Sequence, residues 1–499
     1  MADKSVSLAA LGLTAQGVRE VGITGVSVDS RAVMPGHLFA ALPGSVVHGA
    51  EYIDTAIANG AVAVLTDAKG ASIARDQMNE AGVAVIIAQD PRQALAQTAS
   101  LWFGAHPATV IAVTGTNGKT SVSTFCRQIW ELLGIAGVNL GTTGVEGAWS
   151  YPLKHTTPEP VTLHRVLAEA ASQGVTHVAM EASSHGLDQR RLDGVILSAA
   201  GFSNFSQDHL DYHESFEAYF DAKMGLFTRV LAEDGVAVVN LDDPKGHEVA
   251  SLCTSRGQEV ITVGQDAEAR LKLVSRRFDA TGQDIRFEWQ DRPHQARLEL
   301  MGGFQAENVL LAAGLCIASG AIPGDVFAAL PELQTVRGRM ELAATRDNGA
   351  AVFVDYAHTP DAVATALKAM RPHVLGRIIV LVGAGGDRDA GKRPLMGAAA
   401  ALNADTVIVT DDNPRSEDPA SIRAAVLAGA VAADGTKDIV EVGDRAEAIL
   451  RGIDVLGAGD ALLIAGKGHE SGQIVGDTVL PFDDVEQASV AVAALEGRI

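Results

Sequence analysis

The sequence predicts an α/β protein of three domains, the last of them a doubly wound sheet. Three observations carry this expectation. A chain of 499 residues exceeds what one ordinary hydrophobic core holds, so two or three domains are expected. The stretch Ala108–Phe125, ATVIAVTGTNGKTSVSTF, joins an apolar, β-branched run to a helix-like segment through a glycine-rich turn that ends in lysine. Beyond residue 337, four apolar runs alternate with helical segments, the pattern of a parallel sheet covered on both faces. The expected divisions are 1–106, 107–337 and 338–499.

Composition narrows the class. A formal net charge of −22 argues against broad nucleic-acid affinity, although a local basic pocket can still hold a phosphorylated substrate. Cys126, Cys253 and Cys316 have no metal-ligand spacing and no disulfide framework, and read as buried small side chains in a reducing compartment. The start, MADKSVSLAALGL, lacks the sustained apolar character of a secretory signal, and no run is long enough to span a membrane. A cytoplasmic protein is expected, with a monomer as the default.

In residues 1–106, Val26–Arg31 joins a short alternating strand to turn-forming residues, and Pro35-Gly36 breaks the path before Leu38–Leu42. Ala61–Thr66 and Val83–Ile87 are short strands separated by alanine-rich helix. Ser30 and Arg31 have the chemistry to bond a sugar or diphosphate, and His48-Gly49 to shape a neighbouring loop; singly, each reads more readily as a cap or surface residue. Ala105-His106-Pro107 is the expected linker.

In the central part, Thr109–Val113 is a buried strand, and Gly115-Thr116-Asn117-Gly118-Lys119-Thr120 is a phosphate loop. Glycines allow the tight turn, backbone amides and a helix start face the anion, Lys119 neutralises it, and Thr120 offers a hydroxyl to a phosphate-bound magnesium ion. Asn139–Thr143 and Lys154–Glu159 are hydroxyl-rich loops suited to an extended polar substrate. The strand Val175–Met180 closes on Glu181, a position from which a carboxylate reaches magnesium at the loop, whereas Ser183-Ser184 reads equally as a helix cap. The strand expected at Gly194–Ala200 leads into Asn204–His213. There His209 stays open between cation ligand and structural histidine, because magnesium prefers oxygen.

Phe216–Leu231 reads as helix, with Lys223 free by sequence to snorkel to solvent. Val236–Asn240 and Val260–Gly264 are further strands, and Leu271–Ser275, Asp284–Trp289 and Gln295–Leu300 a more antiparallel patch. In the apolar helix Gln305–Ser319, the Asn308 amide suits either an adenine edge or a helix-start hydrogen bond. Pro331–Arg339 is the expected hinge.

The last strands are expected at Ala351–Tyr356, Arg377–Gly383, Asp405–Thr410 and Asp460–Ala465, with polar stretches after them where such folds bind ligands. Asp355 suits a nucleotide contact or orientation of Lys119. Arg388, Asn413, Arg415 and Glu470 bring both signs of charge, as an amino-acid zwitterion requires. Any one of them is ordinary as a solvated turn or structural ion pair; their recurrence across several loops favours a site.

The ordered motifs GTNGKT, HTTP, EASSHGL, NFSQDHLDYH, DYAHTPD, GDRDAGKRP, DNPRSEDP and GKGHE span nearly the whole chain, which through them resembles the Mur ligase family. The resemblance implies an N-terminal UDP-substrate-binding domain, a central P-loop ATPase-like domain and a C-terminal Rossmann-like domain. It further implies that ATP phosphorylates the D-glutamate γ-carboxylate of UDP-N-acetylmuramoyl-L-alanyl-D-glutamate and that an amine attacks the acyl phosphate, with domain closure limiting hydrolysis. DNPR at Asp412–Arg415 resembles the signature of the branch that adds meso-2,6-diaminopimelate, whereas lysine-adding members differ there.

Carried over residue by residue, the resemblance gives ATP and Mg2+ to Gly115, Thr116, Asn117, Gly118, Lys119 and Thr120. It makes Glu181 and His209 magnesium ligands, with Lys223 joining them once carbamylated. Asn308 and Asp355, with Arg339 near the hinge, match nucleotide contacts. Ser30 falls in the uridine loop, and Thr156, Thr157, Ser183 and Arg191 in the muramoyl-dipeptide loops. Arg388, Asp412, Asn413, Pro414, Arg415, Gly466 and Glu470 match the diaminopimelate pocket. Two departures stand out. Gln305 sits where relatives often carry asparagine, and Ser121 follows Thr120 where a second threonine is common. A lysine-adding member, the ligase that adds D-alanyl-D-alanine, folylpolyglutamate synthase and an inactive nucleotide-binding scaffold are the competing readings.

Overall fold

Val110, Ile111, Ala112 and Val113 are buried, as the centre of a parallel sheet covered on both faces requires. The computed structural model describes residues 5–17, 21–44, 46–206, 212–279 and 281–499. It divides into two compact units, residues 1–269 with 311–326, and residues 270–310 with 327–499.

The first unit contains a parallel sheet in the order Gly25–Ser27, His37–Ala40, Ala63–Thr66 and Ala84–Ile87. Its core joins Leu38, Leu65 and Ile86 to Leu95 of the helix Pro91–Phe103. The same unit holds a larger sheet in which Glu259–Gly264, Val236–Asn240, Ala199–Phe202, Thr109–Thr114, His177–Glu181 and Gly137–Gly141 lie side by side and parallel, with Gly144–Gly147 antiparallel at the edge. The registers align Glu181 with Val113 and Phe202 with Thr114. Three strands therefore end level, and the loops that follow them share one rim, where such sheets bind ligands.

In the second unit Leu271–Asp279, Gly282–Trp289 and Arg292–Leu298 form an antiparallel meander. A six-stranded sheet runs Glu341–Thr345, Ala351–Asp355, Ala461–Ala465, Ile378–Val382, Thr406–Val409 and Ile439–Glu441, parallel except for its first strand. Val380, Leu463 and Val409 pack on one face and Leu381, Ile464 and Ile408 on the other, which is why these strands read as unbroken apolar runs.

Three expectations need correction. Asn139, Leu140 and Gly141, expected as part of a loop, belong to the strand Gly137–Gly141 and are buried. The strand expected over Gly194–Ala200 occupies Ala199–Phe202. Val195 and Leu197 are apolar because they join the core ahead of the ladder, and Gly194 is needed where a Cβ would meet Ala96 O at 2.4 Å. The helix expected through Leu231 is α only over Phe216–Gly225 and becomes a π-turn over Leu226–Val230. There Arg229 Nε is held by Asp193 at 2.8–2.9 Å and Nη2 by Leu187 O at 2.7 Å, contacts made outside its own helix. A hairpin of Gly472–Val475 with Thr478–Pro481 had no sequence expectation, because its side chains are largely exposed and lack a clear alternation.

All three cysteines are buried and reduced, and burial pushes the Cys253 thiol up to about 12. Among the described residues no helix is long and apolar enough to cross a membrane. His164, in the helix Pro160–Ser172, is held down to about 4, first by burial and then by His106. The unfolded imidazole protonates below about pH 6.5, whereas the folded one stays neutral to about pH 4. Stability present above pH 6.5 is therefore expected to fall by about 3 kcal/mol as pH drops through that window. Urea unfolding of His164→Leu beside the parent checks this: the variant should lose that part of the slope, and equal slopes would contradict it.

Candidate functional site

The phosphate loop is shaped by what surrounds its glycines. Gly115 has φ +146°, and a Cβ there would lie 2.0 Å from Ser203 Oγ; Gly118, at φ +86°, turns the chain into the helix Lys119–Leu132. Asn204 braces the loop from the next strand's end, its carbonyl accepting from Thr116 N at 2.8 Å and its Oδ1 from Asn117 N at 2.9 Å. Ser203 Oγ donates to Asn117 O at 2.6 Å, and Thr116 Oγ1 lies 3.2 Å from Tyr219 OH.

Two lysines converge on this loop. Lys119 Nζ donates to Gly115 O and Thr116 O, both at 2.9 Å, and Lys223 Nζ donates to the same Gly115 O at 2.8 Å. Lys223 does not snorkel: it is 1% exposed, with its Nζ 4.4 Å from the Tyr219 ring centroid. Two ammonium groups sharing one acceptor repel each other, and an anion at the loop relieves that repulsion.

Glu181, also 1% exposed, joins this loop to Thr142, just beyond the strand Gly137–Gly141. Its Oε2 accepts from Thr120 Oγ1 at 3.1 Å and Thr142 Oγ1 at 3.2 Å, and its Oε1 from Thr142 N at 2.8 Å. Gly141 makes room, since a Cβ there would meet Glu181 Oε1 at 2.1 Å. A buried carboxylate beside a hydroxyl is a hard-oxygen donor set of the kind magnesium takes, so the residues present fit the ion. Among the described residues no group of three or more His, Cys, Asp and Glu is arranged to hold a metal ion, and His209 lies outside the described residues.

Thr142 Oγ1 lies 3.0 Å from Thr156 Oγ1, and Thr157 Oγ1 donates to Glu181 O at 2.8 Å. Ser183 caps the helix Ser184–Asp188 by accepting from Gly186 N at 3.1 Å, and donates to Thr157 Oγ1 at 3.0 Å. Arg191 Nη1 reaches Thr157 O at 2.5 Å; burial, then Arg92, lowers its pKa. Thr156, Thr157, Ser183, Arg191 and Glu181 thus form one network beside the phosphate loop. Ser30 lies apart from it in the first sheet's loop, buried, with its carbonyl accepting from Asn59 Nδ2 at 2.9 Å. Arg31 turns back onto Asp29, whose carboxyl the Arg31 hydrogen bonds hold low.

In the second unit, Asn308 Nδ2 donates to Gln305 Oε1 at 3.2 Å, both side chains being buried. Asp355 Oδ2 accepts from Met340 N at 2.7 Å; burial pushes its carboxyl up, against the pull of Arg339. The Arg339 guanidinium stacks 4.8 Å from the Tyr356 ring centroid.

The loops after the C-terminal strands are knitted into one cluster. Gly386 N donates to Asn413 O at 2.9 Å, Arg415 Nη1 to Gly386 O at 2.8 Å, and Ser416 Oγ to Asp387 Oδ1 at 2.6 Å. A Cβ on Gly386 would meet Pro414 O at 1.9 Å, and one on Gly466 would meet Asp412 Oδ2 at 2.4 Å, so these chains touch only because both residues are glycine. The missed hairpin clamps Arg415 at φ +50°: Arg415 N donates to Ile474 O at 3.0 Å and Gly476 N to Arg415 O at 2.7 Å. Glu470 Oε2 accepts from Asn413 Nδ2 at 2.9 Å, whereas Arg388 is exposed and donates from Nη1 to Asp387 O at 3.4 Å. Lys467 and Arg445, both fully buried beneath these loops, carried no signal of their own in the sequence.

A braced phosphate loop with a buried carboxylate at the neighbouring strand's end defines a nucleotide-dependent α/β enzyme. Three family models match the chain: "Mur ligase family, catalytic domain" over residues 22–102, "Mur ligase middle domain" over 113–316 and "Mur ligase, glutamate ligase domain" over 338–468. The chain is 49% identical over 481 residues to the UDP-N-acetylmuramoyl-L-alanyl-D-glutamate–2,6-diaminopimelate ligase of Bradyrhizobium diazoefficiens, covering 96% of each. It is 48% identical to the protein of that name from Caulobacter vibrioides, covering 95% of this chain and 96% of the other. A solved structure with the same name superposes at a TM-score of 0.71 with 33% identity, covering 99% of this chain and all of the other. The chain belongs to the Mur ligase family, whose members are ATP-dependent ligases that use magnesium.

Proposed function

We propose that this chain joins meso-2,6-diaminopimelate to the D-glutamate γ-carboxylate of UDP-N-acetylmuramoyl-L-alanyl-D-glutamate at the expense of ATP, a step of peptidoglycan precursor synthesis. The observation that carries the chemistry is the Lys119 ammonium held over the loop by Gly115 O and Thr116 O beside the Thr120–Glu181 pair. The substrate carboxylate takes the γ-phosphoryl group, giving an acyl phosphate and ADP. The amine of diaminopimelate then attacks the acyl carbon, phosphate leaves, and the amine's surplus proton passes to solvent. Lys119 offsets charge on the transferring phosphoryl oxygens. Thr120, Glu181, His209 and, once carbamylated, Lys223 would hold magnesium, which would supply further positive charge for phosphoryl transfer.

The remaining roles belong to the same reading. Asn308, Arg339 and Asp355 serve the nucleotide, Ser30 the uridine end, and Thr156, Thr157, Ser183 and Arg191 the dipeptide. Arg388, Asp412, Asn413, Pro414, Arg415, Gly466 and Glu470 form the diaminopimelate pocket. The division 1–106, 107–337 and 338–499, a cytoplasmic setting and a monomer complete it.

The test is product formation from purified protein, magnesium-ATP and the UDP-dipeptide, with meso-diaminopimelate and L-lysine supplied separately. A UDP-tripeptide only with diaminopimelate is expected. Product with lysine would overturn the pocket assignment, and no product with either would overturn the function. In the same assay Arg415→Ala should raise the KM for diaminopimelate about tenfold or more while the KM for ATP stays put, because one ligand carboxylate loses its charged partner. An unchanged diaminopimelate saturation curve would contradict that role.

A further inference from the structure

Asn413 and Glu470 both rest on a lysine that shows no surface. Lys467 is 0% exposed, and its Nζ donates to Gly472 O at 2.6 Å, Asn413 Oδ1 at 3.1 Å and Glu470 Oε2 at 3.2 Å. An ammonium has three N–H bonds to place, and each has an acceptor. The arrangement also fixes the Asn413 amide. Its Oδ1 accepts from Ile474 N at 2.9 Å, a backbone group that can only donate, so Nδ2 must turn to Glu470, where it donates to Oε2 at 2.9 Å. Glu470 Oε2 thus takes both Lys467 and Asn413, and among the described residues no donor is bonded to its Oε1.

We propose that Lys467 is a positioning residue for the amino-acid substrate, holding Asn413 and Glu470 in one orientation so that Glu470 Oε1 and the second Asn413 N–H meet an ammonium and a carboxylate of one zwitterion. This rests on the reading of the pocket given above. A rival physical effect has the opposite sign. A buried ammonium beside Glu470 weakens the carboxylate's pull on a substrate ammonium, so a pocket that needed only negative charge would bind more tightly without Lys467. The three fixed bonds predict weaker binding instead, because an unsupported Asn413 and Glu470 must be ordered by the ligand itself.

The experiment measures the KM for diaminopimelate, ATP and the UDP-dipeptide in the full chain and in Lys467→Met, with wild type assayed in parallel. The diaminopimelate KM is expected to rise about tenfold or more, with the other two within about twofold and the loss falling on KM rather than kcat. In a Glu470→Gln background the same change should raise the diaminopimelate KM by a smaller factor than in the parent, since part of its effect passes through Glu470 and the rest through Asn413. A fallen or unchanged diaminopimelate KM, or an equal rise in all three, would overturn the inference. Should the methionine variant not accumulate as folded protein, Lys467→Gln carries the same expectations. A wild type that makes no product with diaminopimelate would overturn the pocket reading and this inference with it.

Discussion

Replacing Lys119 by alanine is expected to lower substrate-dependent ADP formation by about a thousandfold, corresponding to about 4 kcal/mol of lost transition-state stabilisation. The expectation follows from where the charge sits. Lys119 Nζ is held against the loop it serves by two carbonyls at 2.9 Å, Gly115 O and Thr116 O, so its position is set before the phosphate arrives. Phosphoryl transfer offers the protein little covalent chemistry, and positioned positive charge supplies most of what it can contribute. The loss should fall mainly on kcat. Lys119→Arg should also be deeply impaired, because a bulkier planar guanidinium spreads its charge and cannot place it where the compact ammonium sits. ADP release by purified Lys119→Ala within tenfold of the parent would remove Lys119 from the mechanism.

The second large effect concerns stability. Arg445 and Asp484 form an ion pair with both side chains 0% exposed, Nε to Oδ1 at 2.8 Å and Nη2 to Oδ2 at 2.7 Å. Arg445 also donates to Asp411 O at 3.3 Å and Ala465 O at 3.1 Å, the residues from which two of the C-terminal loops depart. Arg445→Met strands a buried carboxylate and leaves both carbonyls without that donor, which should cost about 3–5 kcal/mol. Hydrogen exchange of the Ala461–Ala465 amides reads this directly, as a lower free energy of opening. The double variant Arg445→Met/Asp484→Leu should recover much of the loss, because the desolvated charges go together. A single variant within about 1 kcal/mol of the parent would show that water reaches the pair.

Much of the fold was legible because its signals are local. A parallel strand buried on both faces must be apolar along its length, so Thr109–Thr114, His177–Glu181, Ile378–Val382 and Ala461–Ala465 announce themselves. Gly194–Ala200 misled because core packing by Val195 and Leu197 produces the same apolar run as a ladder does. The exposed hairpin Gly472–Val475/Thr478–Pro481 escaped because exposure removes the hydrophobic pattern on which strand assignment depends.

The sequence by itself determined the glycine-rich turn 115–120, whose glycines, lysine and hydroxyl lie within six consecutive residues, and the ordered motifs that mark the family. It determined equally that Glu181 ends a buried strand. What only the tertiary structure decided is the company these residues keep. That Lys223 reaches Gly115 O from 108 residues away, that Lys467 is sealed beneath Asn413 and Glu470, and that Arg445 meets Asp484 in the interior depend on chain crossings. A lysine or arginine in a sequence carries no mark of its burial. Solvent is its default surrounding, and only partners brought from other strands make an interior place affordable.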